Sequence, residues 1–254
     1  MIPKNIHYCW FGGGDHPELE KKCIESWRKI FPDYALKEWN EENFDINCNQ
    51  YVKEAYETKK YAFVSDYVRL YALYNEGGIY FDTDLEVLKP MDQFLVHPAF
   101  LGFEDDDFVG SCVIGSEPHN LWVKNLLSYY TKKEFIMDSG ELDITTNTTT
   151  ITKYMLEMGL VQNNEYQEFY NLVVIYPSEF FSPKSHGTGV LNLTDNSFSI
   201  HHFAMSWQNK KSMIFRVSAI KKKLIVIFGE KIILNIVSFF KLREIKELLL
   251  NKRE

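Results

Sequence analysis

Two aspartates one residue apart, Asp82 and Asp84, end a short β-type run, Ile79-Tyr80-Phe81. Carboxylates supply hard oxygen ligands, which suit Mg²⁺ or Mn²⁺, ions that keep some of their waters and bind substrate phosphates. In an extended chain, positions i and i+2 share a face, so the two aspartates would converge while Thr83 turns away into packing. Taken alone, the pattern is weak evidence and reads first as a solvated acidic turn. Its surroundings add more. Just upstream, Ala62 to Tyr74 is apolar nearly all round except for Ser65, Asp66 and Arg69. A helix without a wet face is buried, and a charge in a buried helix is paired or functional. Asp66 and Arg69 stand at i and i+3 on one helical face, either as a private ion pair or directed together into the cavity the cation faces. A third cluster is Ser199 to Trp207, SIHHFAMSW. Adjacent residues on a strand face opposite sides, so one of His201 and His202 enters a given site. An imidazole with two carboxylates is a plausible Mn²⁺ set. Trp10, at the end of an apolar run, is either core or a stacking plate for a nucleobase.

The elements that must position these groups can be read in order. Ile2 to Phe11 predicts a buried strand ending in Gly12-Gly13-Gly14. A strand running into a glycine-rich turn is a usual entrance to a nucleotide site in α/β proteins. The glycines do not follow GxGxxG, so a dinucleotide fingerprint is not supported. Pro17 starts a helical stripe, Leu19, Cys23, Ile24, Trp27 and Ile30, within His16 to Phe31. Ala35 to Trp39 reads as a strand and Asn49 to Thr58 as a helix. Gly77 and Gly78 end the apolar helix, and Leu85 to Leu88 is a further strand stopped by Pro90. Such β-α-β-α alternation predicts a parallel-rich sheet covered by helices, with ligands beyond the carboxyl ends of its strands. Trp10 and the aspartate pair would then share one crevice. Further strands are expected at Phe100 to Phe103, Phe108 to Ile114, Val173 to Tyr176 and Phe198 to Ile200, with an acidic hairpin tip at Glu104 to Asp107. His119 to Tyr130 is an amphipathic helix, and Thr145 to Thr150 is a polar cluster ahead of the helical pattern Ile151, Tyr154, Met155, Met158.

The chain has 254 residues, 45% hydrophobic and 25% charged, enough for one sizeable domain with its own core. Its net charge of −7 is unevenly spread. Lys210 to Glu254 holds twelve Lys/Arg and four Asp/Glu, a local charge of +8, which leaves −15 on the rest. We therefore expect a domain at 1–209 and a basic, amphipathic helical extension at 210–254. That extension either packs on the domain or on a homodimer partner, or lies on anionic lipid as a peripheral anchor. An acidic body with no nucleic-acid motif argues against nucleic-acid binding. Cys9, Cys23, Cys48 and Cys112 show neither metal nor disulfide spacing, which fits a reducing compartment. Met1-Ile-Pro-Lys leads straight into a strand pattern without the features of a signal peptide. The expectation is a cytoplasmic protein, held at most to the inner face of a bacterial cytoplasmic membrane.

Three segments together carry a resemblance. Ile6-His-Tyr-Cys-Trp-Phe-Gly-Gly13, Ala62-Phe-Val-Ser-Asp-Tyr-Val-Arg69 with Gly77-Gly-Ile-Tyr-Phe-Asp-Thr-Asp84, and His201 to Trp207 resemble the DxD-containing family 32 glycosyltransferases. That group spans Och1-type mannosyltransferases and bacterial capsular polysaccharide transferases, and is more distantly similar to the glucosyltransferase domains of large clostridial toxins. The resemblance covers roughly Ile2 to Trp207. It implies a GT-A, Rossmann-like α/β fold with a mixed, mostly parallel sheet, Mn²⁺ or Mg²⁺, and a nucleotide-sugar donor, UDP-Gal or UDP-Glc being favoured. It implies retaining hexosyl transfer to a saccharide or lipid-linked saccharide acceptor in capsular polysaccharide or lipopolysaccharide synthesis. By the same resemblance Asp84 and His201 bind the metal, and Asp82 touches metal, ribose or sugar. Asp66 accepts hydrogen bonds from sugar hydroxyls and Arg69 donates to sugar or phosphate oxygens, so that Asp66, Arg69 and Asp82 form the catalytic set. Trp10, Tyr80, Asp66, Arg69, Ser206 and Trp207 line the donor site. Where that family often carries Gly-Pro, this chain has Thr146-Asn147, a departure at the helix start expected to line the donor or acceptor site. A nucleotide-sugar hydrolase using the same metal site, and a non-enzymatic scaffold with a degenerate transferase fold, are the alternatives.

Overall fold

The first strand forms where the sequence places it. The computed structural model describes residues 1–204. Strand β1 (Asn5–Cys9) is followed by helix α1 (Glu18–Ile30), strand β2 (Ala35–Trp39), helix α2 (Gln50–Glu57) and helix α3 (Tyr61–Glu76). Strands β3 (Gly78–Phe81) and β4 (Leu85–Val87) come next, then β5 (Ala99–Phe103), β6 (Val109–Ser116), helix α4 (Leu121–Tyr129) and helix α5 (Asn147–Glu157). The described chain ends with β7 (Gln167–Phe169), β8 (Val173–Tyr176), the short helix α6 (Ser178–Phe181) and β9 (Ser199–His201). Met1–Lys184 and Asn192–Ala204 form one compact unit. Ser185–Leu191 belongs to a second, and is a turn in which the Ser185 N–H bonds the Val190 carbonyl at 2.9 Å.

A seven-stranded sheet runs β2-β1-β3-β6-β5-β8-β7, and β4 pairs with β9 in a separate two-stranded sheet. Five of the seven strands point the same way; β6 and β7 run against them. This is the mixed, mostly parallel α/β sheet expected from the sequence, with helices on both faces. Alternation along the strands fills two cores. On β3, Tyr80 joins the core under α2, α3, α4 and α5, while Ile79 and Phe81 join the core under α1 and α6. Leu101 and Phe100 on β5 divide in the same way. The all-apolar helix α3 is explained by its place, because it lies against β1 and β3 and between α2 and α4. Gly77 closes it at φ 64°, with the cap N–H on the Leu73 carbonyl.

Helix α1 is fixed to β4 by Trp27, whose indole N–H donates to the Leu85 carbonyl at 2.7 Å, and by Ser26, whose hydroxyl accepts the Val87 N–H at 3.0 Å. These bonds set the strand that follows the aspartate pair. Among the described residues no helix is long and apolar enough to cross a membrane. The basic extension, the 209/210 boundary, Ser206 and Trp207 lie outside the described residues.

Candidate active site

Parallel pairing of β1 and β3 puts their carboxyl ends side by side, so Trp10 and Asp82 emerge from the same edge of the sheet. The Asp82 N–H still bonds across to the Cys112 carbonyl on β6 at 3.0 Å. Beyond it the chain turns, with the Leu85 N–H on the Asp82 carbonyl at 3.0 Å. The extended geometry expected for Asp82-Thr83-Asp84 is therefore corrected. A tight turn brings the carboxylates together, because β4 has to break away from the large sheet to pair with β9.

That pairing supplies the third ligand group. In the β4–β9 register Leu85 faces His201, which sets the imidazole beside Asp84. His201 Nε2 is 3.3 Å from Asp84 Oδ1 and 4.0 Å from Asp82 Oδ2. One ligand atom from each of the three residues lies within 4.8 Å of the others. The Asp84 backbone and side chain are held from the chain after β9: its carbonyl accepts the His202 N–H at 3.0 Å, and its Oδ2 the Ala204 N–H at 2.7 Å. His202 faces elsewhere, with Nε2 2.9 Å from Glu86 Oε2. Of the two histidines, His201 is the one beside Asp82 and Asp84.

Burial pushes the Asp84 carboxyl up, but His201 outweighs it and holds the group down at about 2. Burial would likewise lower the His201 imidazole, yet the Asp84 carboxylate keeps it well above its usual value. A hard cation held by Asp82, Asp84 and His201 would compete with a proton for the same atoms. Two carboxylates and one imidazole fit Mn²⁺ or Mg²⁺ in charge and donor type.

Asp82 has a second partner that orients it. Its Oδ1 is 3.1 Å from Arg69 Nη1, while Oδ2 faces His201. Arg69 also donates from Nη2 to Asp66 Oδ1 at 3.0 Å, from Nη1 to the Ser111 carbonyl at 2.7 Å and from Nε to the Ser65 carbonyl at 3.3 Å. Its guanidinium carbon sits 4.6 Å from the centre of the Tyr80 ring. The Asp66–Arg69 pair is therefore both an intrahelical ion pair and part of the site, since Arg69 continues it to Asp82. At 5% and 2% exposure, Arg69 and Tyr80 are buried props of the carboxylates. Arg69 is engaged by Asp66, Asp82 and the Ser65 and Ser111 carbonyls, and Tyr80 lies beneath its guanidinium.

Asp66 reaches the far side of the site. Its Oδ2 accepts the Asn147 N–H at 3.2 Å, and its carbonyl accepts from Asn147 Nδ2 at 3.1 Å. Burial pushes the Asp66 carboxyl up to about 6 against the pull of Arg69. Asn147 opens α5, with Thr146 as N-cap accepting the Thr149 N–H. The helix begins earlier than the apolar pattern from Ile151 suggests, because this polar turn is needed to satisfy Asp66. Trp10 is half-buried; its indole N–H donates to the Gly14 carbonyl at 3.0 Å, and its ring lies 4.4 Å from that of His16.

Residues 17–101 match the protein family described as "Glycosyltransferase sugar-binding region containing DXD motif". The chain is 32% identical over 147 residues to mannosyl phosphorylinositol ceramide synthase SUR1 of Saccharomyces cerevisiae, covering 54% of this chain and 37% of that protein. It is 29% identical over 157 residues to inositol phosphoceramide mannosyltransferase 2 of Schizosaccharomyces pombe, covering 57% of this chain and 45% of that protein. The chain spans less than half the length of these curated relatives. Among solved structures it is similar to PaToxG Glycosyltransferase, with 17% identity and a TM-score of 0.44 over 62% of this chain and 70% of that one.

In this DXD region the motif is Asp82-Thr83-Asp84, while His201 and Asn147 lie outside the matched residues. Asn147 belongs to the Thr146-Asn147 helix start that the resemblance set at the donor or acceptor site, though its bond to Asp66 was not foreseen. The Ala204 N–H, a backbone donor, had no signal in the sequence. Glu104, in the acidic hairpin tip, also faces the cluster electrostatically: burial raises its carboxyl against the opposing pull of His201.

Proposed function

We propose that the chain is a metal-dependent, retaining glycosyltransferase that moves a hexose from a nucleotide-sugar donor to a saccharide acceptor. The observation that carries this reading is the convergence of Asp82, Asp84 and His201, with Asp82 tied through Arg69 to Asp66. Asp84 and His201, with Asp82, would hold the cation. When bound, it supplies charge neutralisation at the donor's diphosphate as that group departs. Arg69 fixes the orientation of Asp82 and Asp66, and Asp66, an acid of about 6, is ionised at neutral pH and accepts hydrogen bonds from sugar hydroxyls. Trp10, at the same sheet edge as Asp82, is the plate for the base. Retention, and an acceptor in surface polysaccharide synthesis at the inner membrane face, follow the family resemblance.

The donor has two readings. The resemblance to the toxin branch favours a UDP-hexose. The mannosyl transfer in the names of the yeast relatives favours a GDP-linked mannose instead. Thermal shifts with UDP, GDP and their sugars, with and without Mn²⁺, on the wild type and Asp84→Ala separate them. A ligand at a hundred times its Kd adds about 2.7 kcal/mol of stability. A Mn²⁺-dependent shift lost in Asp84→Ala supports the reading, and the responding nucleotide sets the donor. Release of free sugar without dependence on acceptor would favour a hydrolase. A folded protein that responds to no nucleotide would leave the scaffold alternative in front.

A further inference from the structure

Tyr130 closes α4 as its C-cap and is fully buried. Its ring is clamped edge-on, 4.9 Å from that of Tyr51 on α2 and 5.7 Å from that of Tyr67 on α3. Its carbonyl accepts from Nδ2 of Asn49, the N-cap of α2, at 2.8 Å. A side chain held this firmly offers one polar atom, the hydroxyl at its tip. That hydroxyl donates to Asn147 Oδ1 at 3.2 Å. Asn147 is itself fully buried, and the phenol is the one donor to its Oδ1 among the described residues. An amide has two unlike ends, so a donor at Oδ1 decides which way it turns. With the oxygen on Tyr130, Nδ2 meets the Asp66 carbonyl at 3.1 Å, and the Asn147 N–H meets Asp66 Oδ2 at 3.2 Å. The opposite turn would set two acceptors, Asn147 Oδ1 and the Asp66 carbonyl, against each other.

We propose that Tyr130 is a positioning residue for sugar recognition: through Asn147 it fixes the direction of the Asp66 carboxylate. This rests on the transferase reading above, in which Asp66 accepts hydrogen bonds from sugar hydroxyls. Asp66 Oδ1 carries one donor, Arg69 Nη2 at 3.0 Å, and Oδ2 carries one, the Asn147 N–H. A carboxylate oxygen accepts two bonds, so both oxygens can still accept from a ligand. Arg69 holds Asp66 from within α3. Asn147 holds it from α5, so the direction of the carboxylate depends on where the first turn of α5 sits. The Tyr130 hydroxyl ties that turn down from 17 residues earlier in the chain. An acceptor fixed before binding costs a ligand less, which is the advantage of pre-organisation. The bonds of Tyr130 and Asn147 run to Asp66 and not to Asp82, Asp84 or His201, so the cation set does not depend on them directly.

Calorimetric titrations of the full chain with Mn²⁺ compare UDP and GDP with UDP-glucose, UDP-galactose and GDP-mannose. They are run on wild type, Tyr130→Phe and Tyr51→Phe. Tyr51→Phe is the control, since it removes a buried hydroxyl from the same aromatic cluster, one without a hydrogen-bond partner among the described residues. In wild type the sugar of the accepted donor adds affinity over its bare nucleotide. In Tyr130→Phe that gain is expected to fall by about fivefold, the scale of one hydrogen bond, while the bare nucleotide binds as before. Tyr51→Phe keeps both. A gain that survives in Tyr130→Phe, or is lost equally in Tyr51→Phe, overturns the positioning role. So does a Tyr130→Phe protein that loses nucleotide and sugar binding together, because the hydroxyl then serves the fold as a whole. A wild type that binds nucleotide but gains nothing from the sugar overturns the role and leaves the cation site standing. A wild type that binds no nucleotide overturns the transferase reading, and the positioning role with it.

Discussion

Arg69→Met deletes the one cation that Asp66 and Asp82 share while keeping most of the aliphatic volume. The side chains of Arg69, Asp66 and Asp82 are 6%, 11% and 23% exposed, so Asp66 would be left without its ion-pair partner, and Asp82 with only His201 at 4.0 Å, in a poorly solvated place. Removing one partner of a buried ion pair costs about 3–5 kcal/mol. Asp82 retains some contact with water and Asp66 keeps the Asn147 N–H, which places the expectation near the lower end. The Ser111 carbonyl loses its donor as well. With a melting shift of roughly 2–4 °C per kcal/mol in a domain of this size, Tm should fall by about 6–12 °C. The assay is thermal and urea unfolding at pH 7, with the double variant Arg69→Met/Asp66→Asn as control. If repulsion and desolvation at Asp66 cause the loss, the second substitution restores part of it, with a coupling above about 1 kcal/mol. A loss under about 1 kcal/mol would refute the reasoning, because it would make these contacts equivalent to a solvated surface pair.

Further outcomes concern pH, the metal set and the helix end. Folding raises Asp66 from 3.8 to about 6, so the folded chain binds its proton more tightly; its contribution is greatest below about 3.8 and is lost as pH rises through about 6. Asp66→Asn should flatten that part of a stability–pH profile recorded without metal. Asp84 runs the other way, lowered to about 2, so its contribution holds above 3.8 and fades as pH falls towards 2. His201→Ala should weaken Mn²⁺ binding, followed by the electron paramagnetic resonance signal of free Mn²⁺, by about tenfold or more, roughly 1.4 kcal/mol. His202→Ala should leave it nearly unchanged, because that imidazole faces Glu86. Gly77→Ala would set a Cβ 2.6 Å from Pro118 Cδ at a φ of 64°, and should cost about 1–3 kcal/mol in urea unfolding.

Local signals carried the sequence reading a long way at α3, β3 and the glycine pair, because their pattern and their contacts lie within one stretch of chain. Non-local pairing was harder. Nothing near Leu85 announces that His201 will face it, yet this pairing sets His201, and not His202, beside Asp84. The aspartate pair was misread as extended for the same reason, since its turn is imposed by β4 leaving the sheet for β9. At Thr146-Asn147 the polar cluster read as a helix start, but nothing local showed that Asn147 is drawn inside by the buried Asp66 it satisfies. Tyr80 illustrates the opposite case: its motif suggested contact with a donor, while its place on β3 makes it the floor beneath Arg69.

Charge balance connects these features. Asp66, Asp82 and Asp84 bring three negative charges at neutral pH, and Arg69 returns one positive charge that cannot titrate away. With His201 neutral, as a ligand must be, the cluster stands at −2, the charge a divalent cation offsets. With no cation, His201 takes a proton and recovers half of that balance, which is why its imidazole is held well above its usual range by Asp84. The same count explains why Arg69 is spent on carboxylates. Were it free to bind a ligand, the cation site would carry a larger uncompensated charge in a buried place, and Asp82 would lose the bond that turns its other oxygen towards His201.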